Sequence, residues 1–334
     1  MLALTTRGVL KWIAIIVAVP VTLVLLAATV LRLDFAGTPA EWAKSTGNDA
    51  LWLGHAWVDG RRTAADVDAL ATRLGSIKDV YVHSGPLTAN GTLRPEKYPN
   101  ATNLLSWWKE RLPGVRISAW LGQTVNAKDG GHLNLSDQAT RARIVQGAKT
   151  LIDLGFDGIH YDFEPVPDGD PAYPALMRET RQAIGQKVLS VATQQIEPAF
   201  GAQWAFQLVA GHGKYWSPEY FREMAELSDQ VAIMTYDSWT PLQSLYGGYV
   251  ARQTAMALEV VPDDTTLLIG APAYHDHMAG VSDYAESVEM AAEGARLALT
   301  QHGPRQNLGL ALYVDFAATE QDWREYHEYW VRPG

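Results

Sequence analysis

The sequence predicts a (β/α)8 TIM barrel that is preceded by one N-terminal transmembrane helix. The barrel is predicted because short apolar or β-branched runs alternate with helical patterns eight times across residues 50–334. Strict alternation of this kind implies parallel strands joined by right-handed crossovers, and the length suits a fold whose typical size is about 250 residues. The transmembrane helix is predicted because residues 12–31 carry no charge.

The composition narrows the class of protein before any motif is considered. The chain has 334 residues, of which 47% are hydrophobic and 19% are charged, a balance typical of globular domains. It contains no cysteine, which excludes disulfide scaffolds, thiol catalysis and cysteine-ligated metals. Its formal net charge of −10 makes it a poor partner for nucleic acid, so we expect no nucleic-acid binding.

The N-terminal segment is predicted to anchor the protein in a lipid bilayer. As a helix, residues 12–31 would extend about 30 Å, the thickness of a bilayer core. Arg7 and Lys11 precede this run, which favours a cytoplasmic stub and places the rest of the chain outside the cell membrane. Residues 1–34 are thus stub and anchor, and residues 35–49 a short stalk. The alternative is a secreted protein with a cleaved signal peptide, whose apolar region is normally about 7–15 residues long.

The elements of the barrel are predicted in chain order from hydrophobic periodicity. The eight predicted strands lie at residues 50–58, 77–84, 115–122, 156–165, 187–194, 230–237, 265–272 and 307–316. Apolar residues at helical spacing cover residues 67–74, 105–112, 144–152, 174–184, 218–227, 249–258 and 288–297, and an eighth helix is predicted at residues 320–330. Ser136 is the expected cap of the third helix, which Gly155 ends. A doubly wound open sheet is the alternative, but no G-x-G-x-x-G turn follows the first strand.

Three ionisable side chains alternate along the fourth predicted strand. Successive residues of a barrel strand point alternately to the interior and to the helix layer, which places His160, Asp162 and Glu164 inside. Barrel interiors are normally packed with branched apolar side chains, and active sites lie at the C-terminal mouth, where Glu164 comes last. Three ionisable groups there indicate a catalytic site. The alternative is a buried ion-pair network that serves the structure alone.

Two predicted strands carry signatures that resemble those of family 18 glycoside hydrolases, the chitinases and endo-β-N-acetylglucosaminidases. The signature D-G-x-D-x-D-x-E is matched on the fourth strand by Asp157, Gly158, Asp162 and Glu164. The signature M-x-Y-D is matched on the sixth strand by Met234, Tyr236 and Asp237. Asp157, at the strand start, looks structural, as does the glycine beside it. The resemblance covers roughly residues 51–330 and is that of a divergent member.

The resemblance implies a retaining mechanism in which the substrate supplies the nucleophile. Glu164 would be the general acid, and later the base that activates water. Asp162 would hold the acetamido N–H of the sugar, while Tyr236 would hydrogen-bond the acetamido group and fix its attack geometry. Asp237 would line the sugar site, and Met234 would form part of the pocket floor. The implied partner is an oligo- or polysaccharide that contains N-acetylhexosamine, and no cofactor is implied.

Three positions depart from the family pattern. His160 stands where the family has the middle aspartate, which normally shares a proton with the residue equivalent to Asp162. A histidine there can bond Asp162 in its charged or its neutral form. On the third strand, the usual S-x-G-G is reduced to Ser118 and a displaced Gly122. Tyr313 stands where a tryptophan commonly lies beneath the sugar, and a phenol can also stack on a sugar face; the alternative is ordinary barrel packing.

Further side chains are predicted near the barrel mouth. Trp239 follows the sixth strand and Trp120 lies on the third, and each is either a sugar platform or a packed aromatic residue. His55 and His83 lie near the ends of the first two strands, where each either lines the site or is a satisfied core histidine. The complete set of predicted substrate-binding residues is Asp237, Met234, His160, Tyr313, Trp239, Trp120 and His55.

No metal site is predicted. His275 and His277 form an H-x-H pair after the seventh strand, a spacing that can bind zinc. Metal-dependent hydrolases on barrels more usually draw such a pair from the first strand, which here has only His55.

The sequence therefore predicts a membrane-anchored glycoside hydrolase that cleaves β-linked glycans containing N-acetylglucosamine. Only residues 273–306 separate the seventh and eighth strands, too few for the small α+β module that deepens the groove of many family 18 chitinases. We therefore expect a shallow, open cleft. One alternative is a catalytically silent, sugar-binding relative, which the change at His160 favours. Another is a hydrolase or lyase of a different glycan, in which Asp162 pairs with Glu197.

Overall fold

Eight parallel strands close into a barrel in the computed structural model, which describes residues 6–125, 132–211, 213–275 and 284–334. The barrel strands, which neighbour one another in chain order, are β1 (Asp49–Leu53), β2 (Ile77–His83), β3 (Arg116–Thr124), β4 (Gly158–Glu164), β5 (Val188–Thr193), β8 (Gln230–Ile233), β9 (Thr266–Pro272) and β10 (Leu308–Tyr313). Two short strands, β6 (Gln195–Ile196) and β7 (Tyr215–Trp216), form a separate parallel sheet. The closed barrel confirms the predicted fold and excludes the open sheet.

Eight of the ten described α-helices follow the barrel strands, as the periodicity predicts; the first precedes β1, and another lies in an insertion after β5. They are α1 (Thr6–Asp34), α2 (Ala64–Ala71), α3 (Ala101–Arg111), α4 (Gln138–Leu154), α5 (Ala172–Ile184), α6 (Ala202–Ala210), α7 (Pro218–Glu226), α8 (Gln243–Val260), α9 (Val288–His302) and α10 (Glu320–Glu325). The last predicted helix, 320–330, is divided between α10 and a π-helical turn, Tyr326–Val331.

The segment from β6 to β7 is an insertion after β5 that the sequence does not predict. It contains α6, on which Trp204 and Leu208 are each 67% exposed. Gln203 Oε1 accepts the backbone N–H groups of Lys214 at 3.0 Å and Tyr215 at 2.9 Å, so this side chain ties α6 to β7. Because Trp204 and Leu208 face outward, the apolar spacing of α6 does not mark a core-facing helix.

A carboxylate and a glycine fix the two ends of α4. The carboxylate of Asp137 accepts the N–H groups of Ala139 at 3.3 Å and Thr140 at 3.0 Å, which makes it the cap of the helix. The predicted cap, Ser136, lies one residue too early. The helix ends, as predicted, at Gly155, whose φ of +122° is strained for any residue with a Cβ.

The predicted membrane segment, residues 12–31, lies within α1. The last turn of α1 packs on α8, where Gly248 approaches the Leu31 carbonyl too closely for a Cβ and Arg252 pairs with Asp34 at 3.1 Å. Within the described residues, no helix combines the length and the apolar character that a bilayer crossing requires. The predicted anchor therefore finds no support in the structure.

The segment 35–49, predicted to form a stalk, packs on the barrel domain and contacts α9 through Ala40 and Ala43. The Ala40 N–H donates to Thr300 Oγ1 at 2.8 Å, and Arg296 Nε donates to the Ala43 carbonyl at 2.7 Å. Ala43 is fully buried. This segment is thus part of the packed domain rather than an extended connection.

A buried carboxylate closes the bottom of the barrel. Asp49 Oδ1 accepts the Leu310 N–H at 2.9 Å and Trp330 Nε1–H at 2.7 Å, and its Oδ2 accepts the hydroxyls of Ser45 at 2.6 Å and Tyr326 at 2.7 Å. Burial raises the pKa of Asp49 to about 6, although these four donors oppose the rise. Asp49 therefore fastens the C-terminal turn beneath the strands.

The apolar core has two parts. The larger part fills the space between the strands and the surrounding helices. The smaller part lies inside the barrel and consists of Ala50, Trp52, Tyr81, Trp120, Ala192, Ala232, Met234, Tyr236, Leu268, Ala311 and Val314. The interior therefore combines alanines with large aromatic side chains, and the aromatic rings extend from the floor to the mouth.

Candidate active site

β4 brings two carboxyl groups to the C-terminal mouth of the barrel. Asp162 and Glu164 line a cavity of about 260 Å³, at the place that the alternation of residues on this strand predicts. The other residues that line this cavity are His83, Pro86, Gly122, Gln123 and Thr124.

The two carboxyls differ in how strongly each holds a proton. Burial raises the pKa of Glu164 well above its ordinary value, and the nearby carboxyls of Asp162 and Asp237 raise it further. Burial also raises the pKa of Asp162, but hydrogen bonds with Glu164 and Trp120 act in the opposite direction. The pair therefore favours one proton, on Glu164, and one negative charge, on Asp162, which is the arrangement that a general acid needs.

The two carboxylate oxygens of Asp162 have different surroundings. Oδ2 accepts the indole N–H of Trp120 at 2.9 Å. Oδ1 is buried and has no hydrogen-bond partner among the described residues. Because an unpaired buried acceptor costs about 1–3 kcal/mol, Oδ1 is suited to accept a donor that a ligand brings.

His160 belongs to a hydrogen-bonded network on the floor of the barrel. Its Nε2 accepts the indole N–H of Trp52 at 3.0 Å, so its Nδ1 carries the proton and donates to Ser190 Oγ at 2.8 Å. Ser190 Oγ donates to the Tyr81 hydroxyl at 3.3 Å, which donates to Gln230 Oε1 at 2.9 Å. The His160 ring also stacks on Tyr81 at 3.8 Å between centroids. Burial lowers the pKa of His160 to about 3, so the ring is neutral.

This network corrects the prediction that His160 contacts the substrate. The side chain is fully buried, and both ring nitrogens are already occupied by Trp52 and Ser190. The bond to Asp162 that a histidine at this position allows is replaced by the bond from Trp120. His160 therefore lies below the cavity and supports its floor.

Three tyrosines cluster at or just after the ends of β8, β9 and β10, outside the lining of the cavity of about 260 Å³. The rings of Tyr236 and Tyr313 stack at 5.3 Å between centroids, and Tyr274 meets both rings edge-on at 5.8 Å. Burial, together with Tyr313 and Asp162, raises the pKa of Tyr236 well above its ordinary value, so its hydroxyl remains a donor. Met234 is 9% exposed and lies beside Tyr236 in the interior core.

Two residues that the sequence analysis missed hold Asp237 in place. Tyr274 donates its hydroxyl to Asp237 Oδ1 at 2.5 Å. The carboxylate of Glu286 accepts the backbone N–H groups of Asp237 at 2.8 Å and Ser238 at 2.7 Å. Asp237 has a φ of +54°, so these contacts hold a backbone conformation that aspartate seldom adopts. Tyr274 lies two residues after the seventh predicted strand and could have been placed at the mouth from that position, whereas no pattern marks Glu286.

Trp239 lies at the outer edge of the site. It is 52% exposed, and its ring meets Phe206 of α6 edge-on at 5.9 Å. Lys214, whose Nζ lies 5.3 Å from the centre of the Phe206 ring, is buried. It donates from Nζ to the Asp237 carbonyl at 2.5 Å, and burial lowers the pKa of this amine to about 8. The predicted role of Trp239 as a sugar platform stays a prediction, and its exposed ring allows that role.

The two mouth histidines occupy different positions. His83 lines the cavity, and burial lowers its pKa to about 4, so the ring is neutral above that pH. The His55 ring lies 5.6 Å from that of His83, and its Nδ1 is 3.1 Å from the His83 carbonyl oxygen, outside the cavity lining. Trp120, predicted as a platform, is only 7% exposed and lies under the His83 ring at 4.6 Å.

The start of β4 is held by the two remaining signature residues. Asp157 Oδ2 accepts the N–H of Ile117 on β3 at 3.0 Å. A Cβ at Gly158 would lie 2.5 Å from the Val188 carbonyl oxygen and 2.6 Å from Ser118 Oγ. These contacts agree with the structural role predicted for both residues, because they set the register that carries Asp162 and Glu164 to the mouth.

Two residues that were considered for other chemistries lie outside the cavity lining: His275 of the H-x-H pair, and Glu197, the alternative partner of Asp162. His275 pairs with Asp322 at 3.0 Å, and His277 falls outside the described residues. In the described part of the chain, no group of three or more metal-ligating side chains is found. Glu197 accepts the Gln203 N–H at the start of α6 at 2.9 Å and does not line the cavity with Asp162.

Solved structures of several hydrolases share this barrel. The spore cortex-lytic enzyme SleL of Bacillus megaterium QM B1551 is 16% identical with a TM-score of 0.60, over 86% of this chain and 75% of that one. The Group IV chitinase of Ostrinia furnacalis is 16% identical with a TM-score of 0.55, over 80% and 93%. A class V chitinase mutant of Cycas revoluta, in complex with (GlcNAc)3, is 12% identical with a TM-score of 0.55, over 83% and 98%. At these identities the likeness shows the fold.

A search of curated protein sequences finds no match. The sequence model of glycosyl hydrolases family 18, in contrast, matches residues 54–330, from the end of β1 to the C-terminal turn. The match includes both signature strands and the mouth residues Asp162, Glu164 and Tyr236. On this evidence the chain belongs to glycosyl hydrolases family 18.

Proposed function

We propose that this protein cleaves β-linked N-acetylglucosamine glycans by retaining, substrate-assisted catalysis. The observation that carries the proposal is the difference between the two carboxyls at the end of β4. Burial and neighbouring carboxyls raise the pKa of Glu164, which favours its protonated form, and Asp162 presents a buried oxygen that lacks a donor among the described residues. A sugar with an acetamido group supplies both what Glu164 can protonate, the glycosidic oxygen, and the N–H that Asp162 Oδ1 can accept.

The first step uses the proton of Glu164. As Glu164 donates it to the glycosidic oxygen, the bond from that oxygen to the anomeric carbon breaks and the leaving sugar departs as an alcohol. The acetamido oxygen of the remaining sugar attacks its own anomeric carbon and forms an oxazolinium ion. Asp162 accepts the acetamido N–H and offsets the positive charge that develops. The Tyr236 hydroxyl hydrogen-bonds the acetamido group and holds it in line for attack.

The second step restores the enzyme. Glu164, now ionised, removes a proton from water, and the water oxygen bonds to the anomeric carbon as the oxazolinium ring opens. Two attacks on the same carbon return it to its original configuration. Tyr313 stacks on Tyr236, so its ring is placed to support the sugar from below.

The connection after β9 favours an accessible glycan over a deeply enclosed one. Only residues 273–287 join β9 to α9, which leaves no length for a further module over the cavity. We therefore infer that the substrate is a soluble oligosaccharide or a glycan strand at a surface, rather than a chain drawn from a crystalline fibre.

Turnover of a fluorogenic chito-oligosaccharide by the full chain tests the proposal. We expect Glu164→Gln to abolish turnover while sugar binding is kept, because the amide cannot donate a proton to the leaving oxygen. Glu110→Gln, at a position 70% exposed on α3, is the matched control and should retain full activity. Binding without turnover in the parent protein would favour a silent sugar-binding relative. Turnover of sugars that lack an N-acetyl group would contradict the substrate-assisted mechanism.

We also propose, on the charge pattern of the N-terminal sequence, that the barrel works outside the cytoplasm. Protease protection of the full chain in intact cells tests this location. Digestion of the barrel by protease added outside would support it, and complete protection would contradict it.

A further inference from the structure

Two unusual residues of the site are neighbours on adjacent strands. In the parallel pairing of β3 and β4, Trp120 lies opposite His160 and Gly122 lies opposite Asp162. Trp120 is therefore one step below Asp162 on the interior face, from where its indole reaches upward to the carboxylate. Both ring nitrogens of His160 are hydrogen-bonded on the floor of the barrel. Trp120 is therefore the member of this pair that contacts Asp162.

The surroundings of Trp120 hold its indole in one position. The ring is 7% exposed, with the rings of His83 at 4.6 Å and Tyr313 at 6.1 Å between centroids. A Cβ at Gly122 would lie 3.2 Å from Trp120 Nε1 and 3.3 Å from the Asp162 carbonyl oxygen. The glycine therefore leaves the space through which the indole N–H approaches Asp162 Oδ2.

We propose that Trp120 is a positioning residue that orients Asp162 and keeps it ionised for the reaction proposed above. Its N–H occupies Oδ2, which leaves Oδ1 directed to the acetamido group of the sugar. An indole N–H has no proton to give up in the working pH range, so this contact stabilises the carboxylate without sharing a proton with it. The role rests on the proposed function and replaces that of a sugar platform, for which Trp120 is too deeply buried.

Burial favours the protonated form of Asp162, and the N–H of Trp120 is a neutral donor that opposes this effect. Glu164 lies on the same strand, and Tyr236 and Asp237 follow β8. His83 at the end of β2 is neutral above about pH 4, and Tyr173 of α5 lies behind β4. None of these groups brings a positive charge. Loss of the Trp120 N–H is therefore expected to raise the pKa of Asp162.

Trp120→Phe tests the role in turnover, because it keeps an aromatic ring and removes the donor. We expect kcat on a fluorogenic chito-oligosaccharide to fall about ten- to a hundredfold, with a smaller change in KM. The acid limb of the pH–rate profile should move to higher pH, since Asp162 then ionises later. Trp52→Phe is the matched control, because its N–H donates to His160 on the floor, and it should leave the acid limb in place. An unchanged acid limb in Trp120→Phe would overturn the proposal.

A second measurement does not depend on turnover. In protein labelled with ¹⁵N at tryptophan, the indole N–H resonance of Trp120 is assigned as the one missing from Trp120→Phe. We expect this resonance to follow the titration of the Asp162–Glu164 pair and to shift in Asp162→Asn. If the parent turns over no glycan but its Trp120 resonance responds in this way, the proposed function is contradicted and the positioning role of Trp120 is supported. A resonance indifferent to Asp162→Asn would overturn the positioning role, even in an active enzyme.

Discussion

At the scale of single residues, the surroundings of His160 decide its chemistry. An indole N–H can only donate, so the contact from Trp52 makes Nε2 an acceptor and excludes a proton there. The neighbouring hydroxyl of Ser190 then takes the Nδ1 proton. A histidine fixed in this way is a neutral structural group, although it lies two residues from Asp162 at the barrel mouth.

His160 should make the fold sensitive to acid. Its pKa is about 3 in the folded protein and about 6.5 in an unfolded chain. Below pH 6.5 the unfolded chain binds a proton that the folded chain does not, so stability falls as the pH decreases. Between pH 7 and pH 4, the unfolding free energy of the parent should fall by about 3 kcal/mol more than that of His160→Gln. Urea denaturation at the two pH values measures both. His302→Gln, exposed at the end of α9, is the control, and parallel curves for His160→Gln and the parent would contradict this account.

For single residues, the sequence predicts which way a side chain points better than it predicts the side chain's hydrogen-bond partners. Alternation along β4 is enough to place Asp162 and Glu164 at the mouth, because it depends on one strand alone. The partner of His160 depends on the register of β1 and β5 against β4, which no local pattern specifies. For the same reason the bond from Trp120 to Asp162 could not be predicted from residues that are 42 positions apart.

At the scale of elements, the register of β4 depends on a glycine. The space at Gly158 is closed by the Val188 carbonyl on one side and Ser118 on the other. Backbone atoms of a central strand cannot move aside as a flexible side chain can. The start of β4 is therefore the point where added volume would disturb the strand that carries both carboxyls.

Gly158→Ala should destabilise the barrel by about 1–3 kcal/mol, because the new methyl overpacks an interior that has no free volume there. Urea denaturation gives the unfolding free energy. Gly114→Ala is the matched control, since nothing lies within 4 Å of a Cβ at that position, and it should be neutral within about 0.5 kcal/mol. Equal stability of the two variants would show that β5 shifts to accept the methyl group.

Elements that pack on the barrel were predictable, and those that do not were missed. α4 and α9 bury one apolar face, and their periodicity locates them within a few residues. α6 exposes Trp204 and Leu208, so the usual relation between apolar spacing and burial fails there. The loop that carries Glu286 has no periodicity, and the role of Glu286 depends on a contact to Asp237, in the segment after β8, that only the fold brings about.

At the scale of the whole molecule, the chain is closed by contacts between its two ends. Asp49 at the start of β1 binds Tyr326 and Trp330 of the C-terminal turn. Alternation of strands and helices predicts the barrel itself, because each unit repeats the same local pattern. It does not predict that α1 packs on α8 or that residues 35–49 lie on α9, since neither contact repeats.

Two replacements of Asp49 should show whether its oxygens, as hydrogen-bond acceptors, or its negative charge stabilise the fold. Asp49→Ala leaves buried donors of Leu310 and Trp330 unpaired, and we expect it to lower the unfolding free energy by about 3 kcal/mol at pH 7. Asp49→Asn keeps one oxygen for these donors, and its amide can donate to the hydroxyls of Ser45 and Tyr326, so a loss under about 1 kcal/mol is expected. Thermal and urea unfolding measure both variants. An equal loss in the two would show that the charge of Asp49, rather than its oxygens, matters.

The hydrogen-bonded network on the barrel floor limits the routes by which protons reach the carboxyls of the site. Every donor in it points the same way, from Trp52 through His160, Ser190 and Tyr81 to Gln230, where an amide oxygen ends the series. A relay of this kind can neither receive a proton from above nor return one, because its first member is an indole and its last an amide. The network beneath the carboxyls therefore carries no proton to them or away from them. In the reaction proposed above, Glu164 therefore regains its proton from the water that attacks the sugar, and this water enters through the open mouth of the barrel.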